Sequence, residues 1–241
     1  MKTMIFAAGL GTRLKPITDN IPKALVPIQG EPILGRLLKK LKKSGLDEVV
    51  INIHHFSQQI KDYVLDNDDF GMKISFSDES DKLLDTGGGI LKAEKLLGSE
   101  PFMVHNVDII SNLDFTWFWN EYNHLPQPPL ALLLVTKRVS QRYLLFDDDM
   151  RLVGWTNVKT GEVRSPYKDL CVEKCMKYSF SGIHIINIAI FGVMKQYGFN
   201  DNFSIIDFYL KTSDKNHIKG VVGDGIDILD MGKLDVLRNL K

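Results

Sequence analysis

The residues best placed for chemistry come early. Ala7-Ala8-Gly9-Leu10-Gly11-Thr12-Arg13 follows directly on the apolar opening run that starts at Thr3. Glycines just after a parallel strand let backbone N–H groups approach a phosphate closely. Two nucleotide motifs do not fit: Leu14 stands where a dinucleotide fingerprint needs its third glycine, and no acidic residue ends the next strand at Ile53. The Gly-Lys-Ser/Thr of a Walker loop is missing too. A nucleotide cradle supplemented by side-chain cations remains, with an ordinary turn as the bland alternative. The next residues favour the cradle. Pro16, Thr18 and the run Pro22-Lys23-Ala24-Leu25-Val26-Pro27 form a long connection that three prolines keep non-helical. Long structureless loops in compact domains are usually functional or disordered. Apolar Leu14, Leu25 and Val26 would tie this one down, so that it presents Arg13 and Lys23 to an anion.

Charge distribution points the same way. The 241 residues carry 30 basic and 30 acidic side chains, yet residues 1–43 hold nine basic and two acidic ones. The lysines between 39 and 43 are the solvated face of a helix, whereas Arg13, Lys15 and Lys23 lie outside it. Other clusters read as structure. Asp147-Asp148-Asp149 is a solvated hairpin turn. Phe115, Trp117, Phe118, Trp119 and Tyr122 are core. Cys171 and Cys175 are too few for a disulfide framework or a four-ligand zinc site, and are expected as free thiols.

The elements that must position these residues follow from periodicity. Apolar strands are expected at Thr3–Ala8, Glu48–Ile53, Lys73–Ser77 and Phe102–Val107. Helices are expected over Pro32–Lys43, ended by Gly45, over a segment capped by Ser57 with Ile60, Val64 and Leu65 inward, and over Gly88–Leu97. That alternation argues an α/β fold: a Rossmann-like, mostly parallel sheet flanked by helices. The second half is less regular. It has a strand at Pro128–Val135, a hairpin of Tyr143–Phe146 with Arg151–Trp155, and a strand at Ser179–Ile186. A helix follows at Phe203–Thr212, then short strands at His217–Val222 and Ile226–Leu229, and a last helix at Gly232–Leu240. No linker or repeat interrupts the chain, so residues 1–241 read as one domain, with a nucleotide-binding half (1–110) and a sugar-binding half (111–241).

Composition excludes several classes. At 44% hydrophobic and 25% charged the chain is neither disordered nor fibrous. Balanced charge argues against nucleic acid as a partner. The longest apolar run, Leu130–Val135, is far short of the roughly 20 residues of a membrane span, so no membrane association is expected. The opening residues read as a buried strand rather than a secretion signal, because Arg13 and Lys15 follow where cleavage would occur. The expected location is the cytoplasm, as monomer or homodimer.

The run Gly9–Thr18 with Pro22–Pro27 closely resembles the signature of the sugar-1-phosphate nucleotidyltransferases, the NDP-sugar pyrophosphorylases. Leu84-Asp85-Thr86-Gly87-Gly88-Gly89-Ile90, and Ile51-Asn52 to Gln58-Gln59-Ile60, resemble most the short N-acetylmuramate-1-phosphate uridylyltransferases. The resemblance implies a nucleotidyltransferase (glycosyltransferase-A-like) fold with a less regular sugar-binding lobe. It implies that Ala7, Ala8, Gly9, Gly11, Thr12 and Arg13 wrap a triphosphate, and that Arg13 and Lys23 neutralise charge as the α-phosphorus is attacked. Thr86 and Gly87 would lie against the base. Asp108 and Asp230 would hold Mg2+, and Gly182 would touch the sugar. His54-His55 become loop residues. An aspartate just past the end of a central parallel strand does sit where open α/β sheets bind ligands.

The implied reaction transfers a nucleoside monophosphate from a triphosphate, UTP in the leading reading, to a sugar 1-phosphate, N-acetylmuramate 1-phosphate in the leading reading. Alternatives are a mannose- or glucose-1-phosphate guanylyl- or uridylyltransferase, a glycosyltransferase using a finished nucleotide sugar, and a non-catalytic nucleotide-sugar sensor. Two departures stand out: Val107 replaces the glycine usual before the first aspartate, and Glu173-Lys174 is followed by Cys175 where the family has Glu-Lys-Pro. The resemblance leads to no expectation of a trailing hexapeptide-repeat β-helix.

Overall fold

The computed structural model describes residues 1–238. From β1 (Lys2–Phe6) the chain enters a loop of three single 3-10 turns, Thr12–Leu14, Ile17–Asp19 and Lys23–Leu25. A small ribbon of β2 (Pro27–Ile28) and β3 (Glu31–Pro32) then leads into α1 (Ile33–Lys43). Next come β4 (Glu48–Ile53), α2 (Ser57–Leu65), β5 (Lys73–Asp78), α3 (Asp85–Lys92) and α4 (Glu94–Leu97). They are followed by β6 (Phe102–Asn106), β7 (Ile109–Ser111) and α5 (Phe115–Asn123). The second half runs β8 (Ala131–Thr136), β9 (Arg142–Phe146), β10 (Leu152–Asn157), β11 (Glu162–Arg164) and β12 (Met176–Ile186). It ends with α6 (Ile190–Gln196), α7 (Ile205–Thr212), β13 (Ile218–Val222), β14 (Ile228–Asp230) and α8 (Leu234–Arg238).

One central sheet runs β11-β10-β9-β12-β6-β1-β4-β5, with β8 and β13 branching from β12. Strands β6, β1, β4 and β5 are mutually parallel, as a strand–helix alternation requires. β12 is antiparallel to β6, β8 and β9. Its register breaks between Phe180 and His184, around Gly182 at φ 82°, a value that favours glycine. The break lets one strand serve two neighbourhoods: Met176–Tyr178 pair with β9, and Ile183–Ile186 pair with β6. That handover makes the second half irregular.

Apolar side chains cover both faces of the sheet. One cluster holds Ile5, Val49 and Ile51 with Leu34, Leu38 and Leu41 of α1 and Phe115 and Phe118 of α5. The other holds Met4, Val50 and Val104 with Ile90 of α3, Met194 of α6 and Phe208 of α7. Successive strand residues point to opposite faces, so β1 feeds both. α1 buries Ile33, Leu34, Leu37, Leu38 and Leu41. It ends where Leu46 N–H reaches back to Leu41 O (3.0 Å) and Gly45 N–H to Lys42 O (3.0 Å), with Gly45 at φ 73°.

Several expectations need correction. The proline-rich loop is not free of helix. Pro16 and Pro22 each precede a 3-10 turn, a position where a missing N–H costs nothing. Ser57 does not cap α2; the helix is entered from Phe56 at φ 56° with no side-chain cap, and Leu65 is 69% exposed rather than inward. α3 begins at Asp85, before the three glycines, and a separate turn, α4, follows Ala93. β7, α5 and α6 lie outside the expected elements. The last helix begins at Leu234, and its expected end at Leu240 lies outside the described residues. The Asp147–Asp149 turn is as expected: Asp147 accepts from Asp149 N–H (3.1 Å) and Arg151 N–H (2.8 Å) inside the β9–β10 hairpin. Cys171 and Cys175 are free thiols. Among the described residues, no helix is long and apolar enough to cross a membrane.

Two histidines are sealed in this core. Burial lowers His184 to about 3, and its Nδ1 faces the Tyr209 hydroxyl at 2.9 Å. Burial lowers His105 to about 4. An unfolded chain protonates histidine near 6.5, so the stability these groups share is complete above that pH and declines as pH falls toward their folded values. Thermal unfolding followed from pH 7 to pH 4.5 is expected to show a falling Tm, with about 1 kcal/mol lost per pH unit per histidine. H184Q, which keeps a partner for Tyr209, flattens that slope; an unchanged slope would remove His184 from this role.

Candidate active site

The loop after β1 is fixed from three sides. Gly11 sits at φ 66°, and a side chain there would meet Thr18 Cγ2 at 2.9 Å and Lys23 Cβ at 3.1 Å. Gly11 O accepts from Leu14 N–H (2.8 Å) and from the Thr18 hydroxyl (2.9 Å). Leu14, Ala24 and Val26 anchor the loop in the core, with Leu25 packed partly buried beside them. Among the described residues, none accepts a hydrogen bond from the N–H groups of Gly9, Leu10, Gly11, Thr12 or Arg13. Five consecutive backbone donors are thus left unclaimed by the protein along one turn, a run that can serve an anion. Gly9, Thr12 and Arg13 are exposed.

Ala7 and Ala8 differ. Both are buried, and both N–H groups donate to Asn52 Oδ1, at 2.7 and 3.2 Å. Their amides are therefore committed to the protein, and the donors open to a ligand begin at Gly9. Asn52 Nδ2 donates to Glu79 Oε1 (2.8 Å), and Glu79 Oε2 accepts from Leu84 N–H (3.2 Å). Glu79 is fully buried, and burial pushes its carboxyl up against the opposing pull of these hydrogen bonds. The sequence reading missed Asn52 and Glu79 as site-building residues. The available signal was an amide alone among the apolar residues of β4, at the end nearest the loop.

Asp108 and Asp230 meet through backbone pairing. β14 runs antiparallel to β7 with Asp230 opposite Ile109, and Met231 N–H donates to Asp108 O at 2.8 Å. A side chain at Gly232 would meet Asp108 Oδ2 at 2.7 Å, Arg13 Nη2 at 2.8 Å and Asp230 Oδ1 at 3.0 Å. Two carboxylates and a guanidinium therefore converge on one point beside the loop. Lys23 forms an ion pair with Asp108, both side chains being mostly buried. Two hard carboxylate oxygens with room for phosphate oxygens form a donor set that suits Mg2+, which takes one or two protein carboxylates and completes its shell with substrate phosphates and water. Among the described residues no cluster of three or more metal-binding side chains occurs, so the protein alone does not enclose a cation.

The remaining expected residues divide. Gly182 is buried, and a side chain there would lie 2.6 Å from Asn106 Nδ2. Asn106 ends β6, two residues before Asp108, so Gly182 borders the same region. Thr86 and Gly87 are engaged with α7: Ile205 N–H donates to Thr86 Oγ1 (2.9 Å), and Gly87 N–H donates to Phe203 O (2.9 Å). A side chain at Gly87 would come within 2.2 Å of the Phe203 ring, so its smallness serves helix packing. Val107 is 3% exposed and packs in the same core cluster as Leu14, Ala24 and Val26 of the loop. His54 lies in the loop after β4, its Nδ1 2.6 Å from Glu79 O.

This arrangement has relatives. The family model described as Nucleotidyl transferase matches residues 2–143. The N-acetylmuramate alpha-1-phosphate uridylyltransferase of Neisseria meningitidis serogroup B is 42% identical over 127 residues, 53% of this chain and 55% of that protein. That of Caulobacter vibrioides is 38% identical over 109 residues, 44% of this chain and 45% of that protein. The chain thus spans about half the length of the curated relatives it matches. In overall fold it is similar to a putative glucose-1-phosphate thymidylyltransferase from Bacillus anthracis, with a TM-score of 0.81 and 18% identity over 100% of this chain and 93% of that one. It is also similar to HddC from Yersinia pseudotuberculosis, with a TM-score of 0.76 and 24% identity over 99% and 97%. The match from β1 through the start of β9 takes in the glycine loop, Lys23 and Asp108, and on that ground the chain belongs to the nucleotidyl transferase family.

Proposed function

We propose that this protein transfers a nucleoside monophosphate from a nucleoside triphosphate to a sugar 1-phosphate and releases pyrophosphate. The observation that carries the reading is the convergence of Asp108, Asp230 and Arg13 on one point beside a loop with five N–H donors that the described residues leave unpaired. A triphosphate and a sugar phosphate together bring several negative charges to one place. The reaction then needs positioning and charge neutralisation more than a nucleophilic side chain. An oxygen of the sugar phosphate attacks the α-phosphorus, the bond from that phosphorus to the bridging oxygen of the β-phosphate breaks, and pyrophosphate leaves with its electron pair.

In this reading Gly9, Gly11, Thr12 and Arg13 bind the phosphates, and Lys23 exchanges its Asp108 partner for a phosphate oxygen. Asp108 and Asp230 would hold Mg2+, which supplies charge neutralisation at the phosphate oxygens. Gly182 and Asn106 border the sugar. The two uridylyltransferase relatives support UTP as donor and N-acetylmuramate 1-phosphate as acceptor. A heptose 1-phosphate guanylyltransferase from Campylobacter jejuni, 36% identical over 116 residues, marks the competing acceptor class. We take the enzyme to act in the cytoplasm, where both substrates would be made.

The direct test is pyrophosphate release, measured for four nucleoside triphosphates against a panel of sugar 1-phosphates with magnesium. UTP with a sugar 1-phosphate is expected to turn over; no release with any pair would refute the reading. K23A should lower kcat by about 100-fold or more, the scale of losing one preorganised charge contact, with the far-ultraviolet circular dichroism retained. Wild-type turnover would remove Lys23 from the phosphate site. D108N should raise the magnesium concentration needed for half-maximal rate and lower the rate at saturation. A variant that melts earlier yet keeps the wild-type magnesium response would make Asp108 purely structural.

A further inference from the structure

We propose that a small pocket beside the sugar region recognises a carboxylate on the acceptor, so that the preferred sugar 1-phosphate is an acid as well as a phosphate. The inference rests on the nucleotidyl-transfer reading above and deepens it. The pocket has a volume of about 160 Å3 and is lined by Arg138, Ser140, Arg142, Tyr143, Trp155 and Ser179, among others. One wall belongs to β12, whose Ser179 and Phe180 lead directly into the bulge at Gly182. The acceptor's own phosphate must lie near Arg13, Lys23 and Asp108, where the reaction occurs. The pocket shares β12 with Gly182 and includes none of those three residues, so it would meet a different part of the sugar.

The pocket's charge has no internal answer. Among the described residues, neither Arg138 nor Arg142 has a carboxylate within 4.0 Å, whereas nearby Lys137 pairs with Asp224 (3.2 Å) and Arg164 with Asp207 (2.8 Å). Arg138 lies in the short connection between β8 and β9 and Arg142 opens β9, and hydrogen bonds hold that stretch in place. Ser179 Oγ donates to Arg138 O (2.8 Å), Ser140 N–H donates to the Tyr143 hydroxyl (2.8 Å), and Arg142 N–H donates to Ser140 Oγ (3.2 Å). Two guanidinium groups without a carboxylate partner that line one pocket suit an anion able to bridge them. Arginine's planar fork matches a carboxylate bidentately, a match no neutral hydroxyl of glucose or mannose provides.

Two acceptors that differ in this one group test the proposal. N-acetylmuramate 1-phosphate is N-acetylglucosamine 1-phosphate with a carboxylate-bearing lactyl ether. Wild-type kcat/KM should favour the former, and in R138A, R142A and the double variant that preference should shrink by about tenfold or more, the scale of a charged hydrogen bond. R142K, which keeps the charge and loses the fork, should fall between. An equal loss on both acceptors, or no preference in the wild type, overturns the proposal. So does a stronger response to N-acetylglucosamine bearing phosphates at both ends of the sugar. Should the wild type turn over no sugar phosphate, the transferase reading fails separately. Thermal shift with each acceptor alone then decides: a larger shift with the carboxylated sugar, abolished in the double variant, sustains the pocket, and equal shifts sink it.

Discussion

Asp108 and Asp230 carry like charge, come from distant parts of the chain, and are held side by side by β7–β14 pairing. Left alone, such a pair would repel. Arg13 lies close to the point where the two carboxylates converge, and Lys23 is paired with Asp108, so cations from the glycine loop region offset the carboxylates brought in by the sheet. This mutual neutralisation makes the loop and the carboxylates one electrostatic unit. Because the partners come from separate elements, the proposed phosphates and cation would rearrange them without unfolding either.

The loop itself depends on a second buried interaction. Asn52 uses its oxygen to fix the amides of Ala7 and Ala8 and its nitrogen to hold Glu79, while Glu79 accepts from Leu84 N–H at the entrance to α3. A buried polar group is costly unless fully hydrogen-bonded, and here both the amide and the carboxylate are engaged. The network sets where β1 ends and where free N–H donors begin, and couples that boundary to the position of α3. Helix α3 then packs Gly87 against Phe203 and accepts from Ile205 N–H at the start of α7, whose Ile206 lines the arginine pocket. The glycine loop, the β12 wall and the arginine pocket are thus connected through packed elements rather than through independent loops.

Much of this was legible in residue order. The apolar strand ending in glycines, the leucines of α1 at helical spacing and the Gly45 stop each depend on neighbours a few residues away. Turn chemistry and periodicity report on just such ranges. The glycines of α3 were harder to interpret. As a sequence, Thr86-Gly87 reads as a place where a ligand can come close; in the fold the close neighbour is Phe203. The absence of a side chain says that something approaches, and only packing says what.

The sequence by itself determined the loop, its cations, the parallel half of the sheet and the family, because these follow from local propensity and from a contiguous motif. Tertiary structure decided which carboxylates face that loop, that the amides of Ala7 and Ala8 are already taken, that Val107 turns into the core, and that Arg138 and Arg142 share a pocket with Ser179. Each of these depends on the register of strands far apart in the chain. A one-residue slip would turn every side chain of a strand to the other face, and local patterning does not encode the pairing that prevents it.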